Sequence, residues 1–307
     1  MITTRFAPSP TGPLHLGHAY AALVAAGAGQ RFLLRIEDID QSRARPNHEA
    51  AIYDDLAWLG LRWEHPVMRQ SARLPAYRAA LAQLWNMGLL YPCHCNRRDI
   101  AAAIEAPQEG AALGPDGLIY PGTCRVQPAG PMPEGVLRLN MAAALERAGQ
   151  LTYVNNGKVE RVENLAKTCG DVVLARRDMG TSYHLSVVVD DAAQAVTLVT
   201  RGEDLAEATP VHVVLQALLG LPHPEYLHHR LIRDDAGKRL AKRDDARALA
   251  RYPVAHGGIK TRPPVGMAGG AGLVHLQQQA VAVAINLQFD QSLHMARCCA
   301  LGPKRAA

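Results

Sequence analysis

The first 28 residues restrict the fold more than any other stretch of this 307-residue chain. Ile2 to Phe6 reads as a short strand, and Pro8, Pro10, Gly12 and Pro13 make Ala7 to Pro13 a loop. An apolar, alanine-rich run from Leu14 to Ala28 follows and predicts a buried helix. Arg31 to Ile36 predicts the next strand, ending in Glu37, Asp38 and Asp40. Helical periodicity returns over Asn47 to Leu59 and over Leu74 to Met87. Strand, helix, strand, helix predicts an α/β sheet with crossover connections.

The rhythm breaks between Leu90 and about Arg177, where short segments, turn residues and cysteines point to an insertion. Val172 to Leu174, Leu185 to Val189 and Val196 to Thr200 read as strands, Thr209 to Leu219 as a helix, and Pro222 opens a loop. The sheet therefore resumes near residue 180. Beyond Ala250 glutamate disappears, and Pro263, Pro264 and the glycines from Gly266 to Gly272 form a linker-like stretch before a candidate helix, Leu273 to Phe289. Five divisions follow: two catalytic halves at 1–89 and 179–229, an insertion at 90–178, a lysine-bearing loop region at 230–250 and a divergent tail at 251–307.

Composition excludes several classes. No stretch reaches the roughly 18 uninterrupted apolar residues of a membrane span. Ala19 to Gly29 has the length of a signal-peptide core, but prolines and histidines precede it where a basic segment belongs, so a cytoplasmic location is expected. Of the net charge of +5, residues 252–307 hold +4, through Lys260, Arg262, Arg297, Lys304 and Arg305 against Asp290. The body is nearly neutral, and charge alone does not mark an RNA binder. Arg230 to Arg251, with eight basic and four acidic residues, is the local exception.

Two constellations carry chemistry. In the first, His15 and His18, separated by Leu16-Gly17, stand where the helix should begin. A helix N-terminus offers free N–H groups and a positive dipole end, and two imidazoles add donors suited to a triphosphate. Gly17 removes a side chain where a flat base could lie against the backbone. Read alone, the histidines could equally cap and pack the helix. The second constellation is Cys93-x-Cys95 with Tyr120-x3-Cys124. Three thiolates and one oxygen can complete a tetrahedral zinc shell, with His94 a competing fourth ligand. Buried reduced thiols are the alternative. Cys169, Cys298 and Cys299 have no partner pattern, and without a secretion signal a disulfide framework is not expected.

The whole segment from Arg5 to His18 resembles the HIGH signature of class I aminoacyl-tRNA synthetases. Its preface, Arg5-Phe6-Ala7-Pro8-Ser9-Pro10-Thr11-Gly12, is similar to the glutamyl and glutaminyl branch. The resemblance continues in Arg35-Ile36-Glu37-Asp38-Ile39-Asp40, in Tyr183 before Val187-Val188-Val189-Asp190-Asp191, and in Val199-Thr200-Arg201-Gly202-Glu203-Asp204. Lys238-Arg239-Leu240-Ala241-Lys242-Arg243 falls where that class carries its second, lysine-bearing loop. The resemblance covers roughly residues 1–246. It implies an α/β fold, a Rossmann-like parallel sheet split by an inserted zinc-containing subdomain and followed by a small, mainly helical C-terminal region.

The implied roles suit the residue types. Glutamate has two carboxylates and an ammonium group, so Arg5 and Arg201 suit bidentate carboxylate recognition and Glu37 suits the ammonium. Tyr183, Ser9, and the segment Phe6-Ala7-Pro8 complete the amino-acid pocket. A salt bridge between Arg5 and Glu37 would be a compatible structural role. His15, Gly17, His18 and Lys242 would bind ATP, with His15, His18 and Lys242 neutralising the phosphates during in-line attack. The family commonly has Lys-Leu-Ser-Lys, whereas this chain has Arg239-Leu240-Ala241-Lys242, so a serine hydroxyl is lost. Cys93, Cys95, Tyr120 and Cys124 match the site of the short glutamyl-Q tRNA(Asp) synthetases, implying one structural zinc ion.

About 64 residues follow the lysine loop, too few for the helical anticodon-binding domains of a complete glutamyl-tRNA synthetase. The chain therefore resembles the paralogues that lack them. Those enzymes activate L-glutamate with ATP, expected with magnesium, and transfer it to queuosine in the anticodon of tRNA(Asp). Backbone contacts and a splayed anticodon loop would hold the tRNA, with Arg243, Arg247 and Arg251 as phosphate contacts. A monomer with no membrane partner is expected, although no motif bears on oligomeric state. Two other readings stay open: a fragment of an ordinary glutamyl-tRNA synthetase charging tRNA(Glu), and a non-catalytic zinc and nucleotide-binding relative, motivated by Ala241 and the tail.

Overall fold

The computed structural model describes residues 1–96, 98–100, 113–114, 117–126 and 129–232. Lys242, its loop, Arg243, Arg247, Arg251, the helix expected at 273–289, the tail, Cys298 and Cys299 lie outside the described residues.

The opening unit forms as its sequence dictates. Strand β1 (Thr3–Phe6) leads through the proline loop into helix α1 (Leu16–Ala28), and β2 (Arg31–Ile36) returns parallel to β1 with Arg5 opposite Leu33. Helix α1 buries Leu16, Ala19, Ala22 and Ala25 with β2 and with Ile52 and Leu56 of helix α2 (Pro46–Trp58). Strand β3 (Glu64–Arg69) extends this sheet in parallel on the far side of β2. The sequence reading missed β3, whose mostly exposed residues give no alternating apolar face. Helix α3 (Leu74–Asn86) then packs its face of Tyr77, Leu81 and Leu84 into the largest core cluster.

Strands β4 (Leu90–Pro92), β7 (Leu137–Leu139) and β10 (Val173–Ala175) make a separate antiparallel sheet in the order β10-β7-β4. Between β4 and β7 lies the two-residue-stranded hairpin β5 (Leu113–Gly114) and β6 (Gly117–Leu118). Helix α4 (Met141–Ala148), capped by the Asn140 side chain, follows β7. Hairpin β8 (Thr152–Asn155) and β9 (Lys158–Arg161) then reaches away from this sheet, and helix α5 (Leu165–Thr168) precedes β10. β8 pairs with β12 (Glu225–His229), giving the order β11-β12-β8-β9 with β11 (Leu198–Gly202) parallel to β12. The Thr197 N–H donates to the Thr3 carbonyl at 3.0 Å, and the Arg5 Nη1 donates to the Thr200 carbonyl at 3.1 Å. β11 therefore runs beside β1 in the same direction, and the two sheets adjoin at β1 and β11.

One expected strand is a helix. Residues 185–189 fall inside α6 (Tyr183–Ala193), not in a strand. Leu185, Ser186, Val187 and Val188 are all buried, so no exposed polar face marks a helical period. The helical turn also places Asp190 and Asp191 inside the protein, which a strand ending at Val189 would not require. Helix α7 (Thr209–Leu219) matches its expected bounds and ends on Gly220 at φ +66, a left-handed conformation natural to glycine.

Asp191 ties these parts together. Its carboxylate accepts from Arg5 Nε at 2.8 Å and from Arg35 Nη1 at 2.7 Å, joining α6 to β1 and β2. Burial by itself would raise this carboxyl, but the two guanidiniums hold it below the ordinary aspartate range. Neighbouring Asp190 accepts from Tyr77 Oη, Gln70 Nε2 and Arg73 Nε. Replacing Asp191 by alanine strands two buried cations, so urea unfolding followed by circular dichroism should give a loss of roughly 3–5 kcal/mol.

Candidate active site

A cavity of about 430 Å³ opens where β1, β11 and β12 end and α1 begins. This is the crevice at the carboxyl ends of the strands, beside the point where the chain turns from one half of the sheet to the other. Arg5 to Ser9, Glu37, Tyr183 and Arg201 line it together with His15, Gly17 and His18 at the start of α1. Residues separated by almost 200 positions thus share one chamber.

The two histidines fix each other. His15 caps α1: its Nδ1 accepts from the Gly17 N–H at 3.1 Å, while the His15 N–H donates to His18 Nδ1 at 3.2 Å. Their rings lie 3.8 Å apart. Because both Nδ1 atoms accept from backbone donors, each neutral ring carries its proton on Nε2. The capping reading therefore holds for this pair. Gly17 has a local reason as well, since a Cβ there would lie 3.0 Å from His15 Cε1 and 3.1 Å from His15 Nδ1.

The carboxylate partners differ from the simple expectation. Arg5 is salt-bridged to Asp191, while Glu37 pairs with Arg35 at 3.4 Å. Arg5 still acts on Glu37 through its charge. Burial pushes the Glu37 carboxyl up, and Arg35 and Arg5 pull against that shift. Tyr183 is raised by burial beside Arg201.

Arg201 is held differently. Its Nε donates to His228 Nε2 at 3.1 Å, its Nη1 meets His212 Nδ1 at 3.0 Å, and its Nη2 donates to Thr209 Oγ1 at 2.6 Å. The guanidinium lies 5.4 Å from the Tyr226 ring centroid. Among the described residues it has no carboxylate partner. Arg5 and Arg35 thus share Asp191, and Arg35 also meets Glu37, while Arg201 is left without an ion pair among the described residues. The sequence reading missed Asp191, His212, Thr209 and His228 as site residues. Only the acidic pair Asp190-Asp191 carried a signal, a polar end to an apolar run.

The cysteine constellation lies elsewhere, after β4. The sulfur atoms of Cys93, Cys95 and Cys124 all lie within 4.8 Å of one another, with 3.4 Å between Cys95 and Cys124. Tyr120 Oη is 3.5 Å from Cys95 Sγ. Tetrahedral zinc at about 2.3 Å from each sulfur needs sulfurs roughly 3.8 Å apart, so this donor set fits such an ion. His94 is exposed and does not join the group. The Tyr120 hydroxyl is the chief cause that lowers the Cys124 thiol to about 7. Arg138 of β7 donates from Nε to Cys93 Sγ at 3.2 Å, and its guanidinium sits 3.9 Å from the Tyr120 ring centroid. Cys169 packs in the main core.

Residues 1–264 match the family of tRNA synthetases class I (E and Q), catalytic domain. The chain belongs to this family. The glutamyl-Q tRNA(Asp) synthetase of Rhodobacter capsulatus is 63% identical over 260 residues, covering 81% of this chain and 94% of that relative. The protein of the same name from Ralstonia nicotianae is 43% identical, covering 80% and 79%. A solved glutamate tRNA ligase from Elizabethkingia meningosepticum, in complex with its amino acid, is 30% identical with a TM-score of 0.62. It is matched over 80% of this chain but only 52% of its own, so the chain spans about half the length of that ligase. The class I synthetase resemblance of Arg5–His18 and Val199–Asp204 is thereby borne out. No helix among the described residues is long and apolar enough to cross a membrane.

Burial, then Arg201, lowers His228 to about 4, and burial holds His212 well below the ordinary histidine value. The stability they give is complete above the unfolded-state value of about 6.5 and is lost as pH falls towards the folded-state values. Urea midpoints measured from pH 7 to pH 4.5 should therefore decline, with the fall beginning near pH 6.5.

Proposed function

We propose that this protein uses ATP to convert L-glutamate to glutamyl-adenylate and transfers the glutamyl group to queuosine in the anticodon of tRNA(Asp). The observation that carries the reading is the cavity with a cationic surplus at Arg201, on a chain 63% identical to a glutamyl-Q tRNA(Asp) synthetase across 94% of that relative. A glutamate zwitterion carries one net negative charge, which complements an arginine that has no carboxylate partner among the described residues.

In this reading Arg201 and Arg5, with Tyr183 and Ser9, receive carboxylate oxygen atoms, and Glu37 receives the ammonium group. Phe6, Ala7 and Pro8 shape the pocket wall. ATP lies over the start of α1, where the positive end of the helix and the Nε2 donors of His15 and His18 meet its phosphates, and Gly17 leaves room for the nucleotide. The glutamate α-carboxylate attacks the α-phosphorus, and pyrophosphate leaves with its charge stabilised by the histidines and by Lys242. A queuosine ring hydroxyl then attacks the mixed anhydride and AMP departs. Magnesium accompanies ATP and screens its phosphates.

Cys93, Cys95, Tyr120 and Cys124 hold one structural zinc ion that closes the irregular segment after β4. Arg138 supports it by stabilising the Cys93 thiolate and fixing the Tyr120 ring. The working division of the chain keeps catalytic halves at 1–89 and 179–229, the zinc-bearing insertion at 90–178, the lysine loop at 230–250 and the tail at 251–307, in a cytoplasmic enzyme.

Purified protein should support glutamate-dependent exchange of pyrophosphate into ATP without tRNA. It should also place labelled glutamate on queuosine-containing tRNA(Asp), with periodate treatment and alkaline lability locating the ester on the modified base. Label on tRNA(Glu) would instead favour an ordinary glutamyl-tRNA synthetase, and no exchange at all would favour a non-catalytic relative. Elemental analysis should find one zinc per chain, and Cys95→Ser should lower both zinc content and the melting temperature.

A further inference from the structure

We propose that His212 and His228 are positioning residues for substrate selection: as neutral hydrogen-bond acceptors they aim Arg201 while leaving its charge uncancelled for an anionic side chain. The inference rests on reading the cavity as a glutamate site.

A buried guanidinium is commonly oriented by a carboxylate, as Asp191 orients Arg5 and Arg35. That solution fixes geometry but cancels charge. Around Arg201 the acceptors are two imidazole nitrogens and a hydroxyl, at 3.1, 3.0 and 2.6 Å. Arginine has five N–H donors and no acceptor, so these three contacts commit three donors, and the neutral Tyr183 hydroxyl also bonds the guanidinium. They also dictate the tautomers. His228 accepts at Nε2, so its proton sits on Nδ1, facing Asn155 Oδ1 at 2.7 Å. His212 accepts at Nδ1, so its proton sits on Nε2, facing His184 Nδ1 at 3.1 Å. Each bond in the chain has one donor and one acceptor without any histidine being charged.

The surroundings keep both rings neutral. His228 faces Arg201 from β11, Thr209 from α7, Asn155 from β8 and Glu160 from β9, with Tyr226 and His229 on its own strand. Glu160, the acid of this group, is engaged by Tyr153 Oη at 2.6 Å and Asn155 Nδ2 at 2.8 Å. His212 faces Arg201 and Arg5 from the sheet, Tyr183 and His184 from α6, and His228. A proton on either ring would set a second cation against Arg201 and remove one of its acceptors.

The test combines kinetics with the state of the rings. His228→Glu supplies an acceptor with a negative charge. It should raise the glutamate KM about tenfold or more, the scale of one charge-assisted hydrogen bond, narrow the preference for glutamate over glutamine, and leave the ATP KM in place. His228→Gln puts Oε1 where Nε2 stands and should remain nearest to wild type in glutamate KM, with its preference for glutamate retained. A His228→Glu protein with wild-type glutamate KM and selectivity, or a His228→Gln protein as impaired as His228→Glu, overturns the inference. Nitrogen-15 spectra of the unaltered protein at pH 7 should show His228 as the neutral Nδ1–H tautomer and His212 as the neutral Nε2–H tautomer; a charged ring or the opposite tautomer overturns it even if the variants fail to fold. Wild-type protein without glutamate-dependent exchange overturns the functional reading itself and this inference with it. Wild-type activity with unchanged selectivity in His228→Glu overturns this inference alone.

Discussion

The carboxylate of Asp191, shared between Arg5 and Arg35, is the contact on which the architecture turns. It comes from the last turns of α6 and reaches the two parallel strands whose ends build the cavity. Removing two guanidiniums from water is unfavourable, and one carboxylate held by both offsets much of that cost only if its geometry is fixed. Asp190, taken up by Tyr77, Gln70 and Arg73, anchors the same turn to the opposite side. The helix is thereby registered against the sheet, and Tyr183 at its start faces the chamber.

Once those charges are paired, Arg201 becomes the exception that gives the chamber its character. Its neighbours are neutral because burial and its own field keep His212 and His228 from protonating. Electrostatics and hydrogen bonding are thus divided: orientation comes from imidazole and hydroxyl acceptors, while the charge stays available. His15 and His18 follow a related logic at α1, where backbone N–H groups occupy both Nδ1 atoms and set the proton on each Nε2. In both places the tautomer of a histidine is fixed by a neighbour that cannot change its role.

Much of the site was legible because its residues stand in short, unusual strings. Pro8-Ser9-Pro10 with His15-Leu16-Gly17-His18, and Arg201-Gly202-Glu203-Asp204, mark strand ends and loops, where local chemistry dominates packing. Residues 185–189 misled for the opposite reason: a valine-rich run with four of its five residues buried shows no helical period, and Asp190 and Asp191 beyond it reach partners far along the chain. β3 and β12 were equally hidden, the first by exposure and the second by two histidines that read as polar but are buried by pairing with Arg201 and Tyr20.

The amino-acid order alone determined the strand–loop–helix opening, the α/β character and the family, because each depends on neighbours within about twenty residues or on a fixed motif. Tertiary structure decided which cation is paired and which is left over. Arg5 could have met Glu37; it meets Asp191 instead, 186 positions away. Arg201 depends on His228 and His212, and their protonation depends on burial, which exists only when the sheet has closed around them. Charge compensation between distant residues is a property of the assembled interior, and no local pattern encodes it.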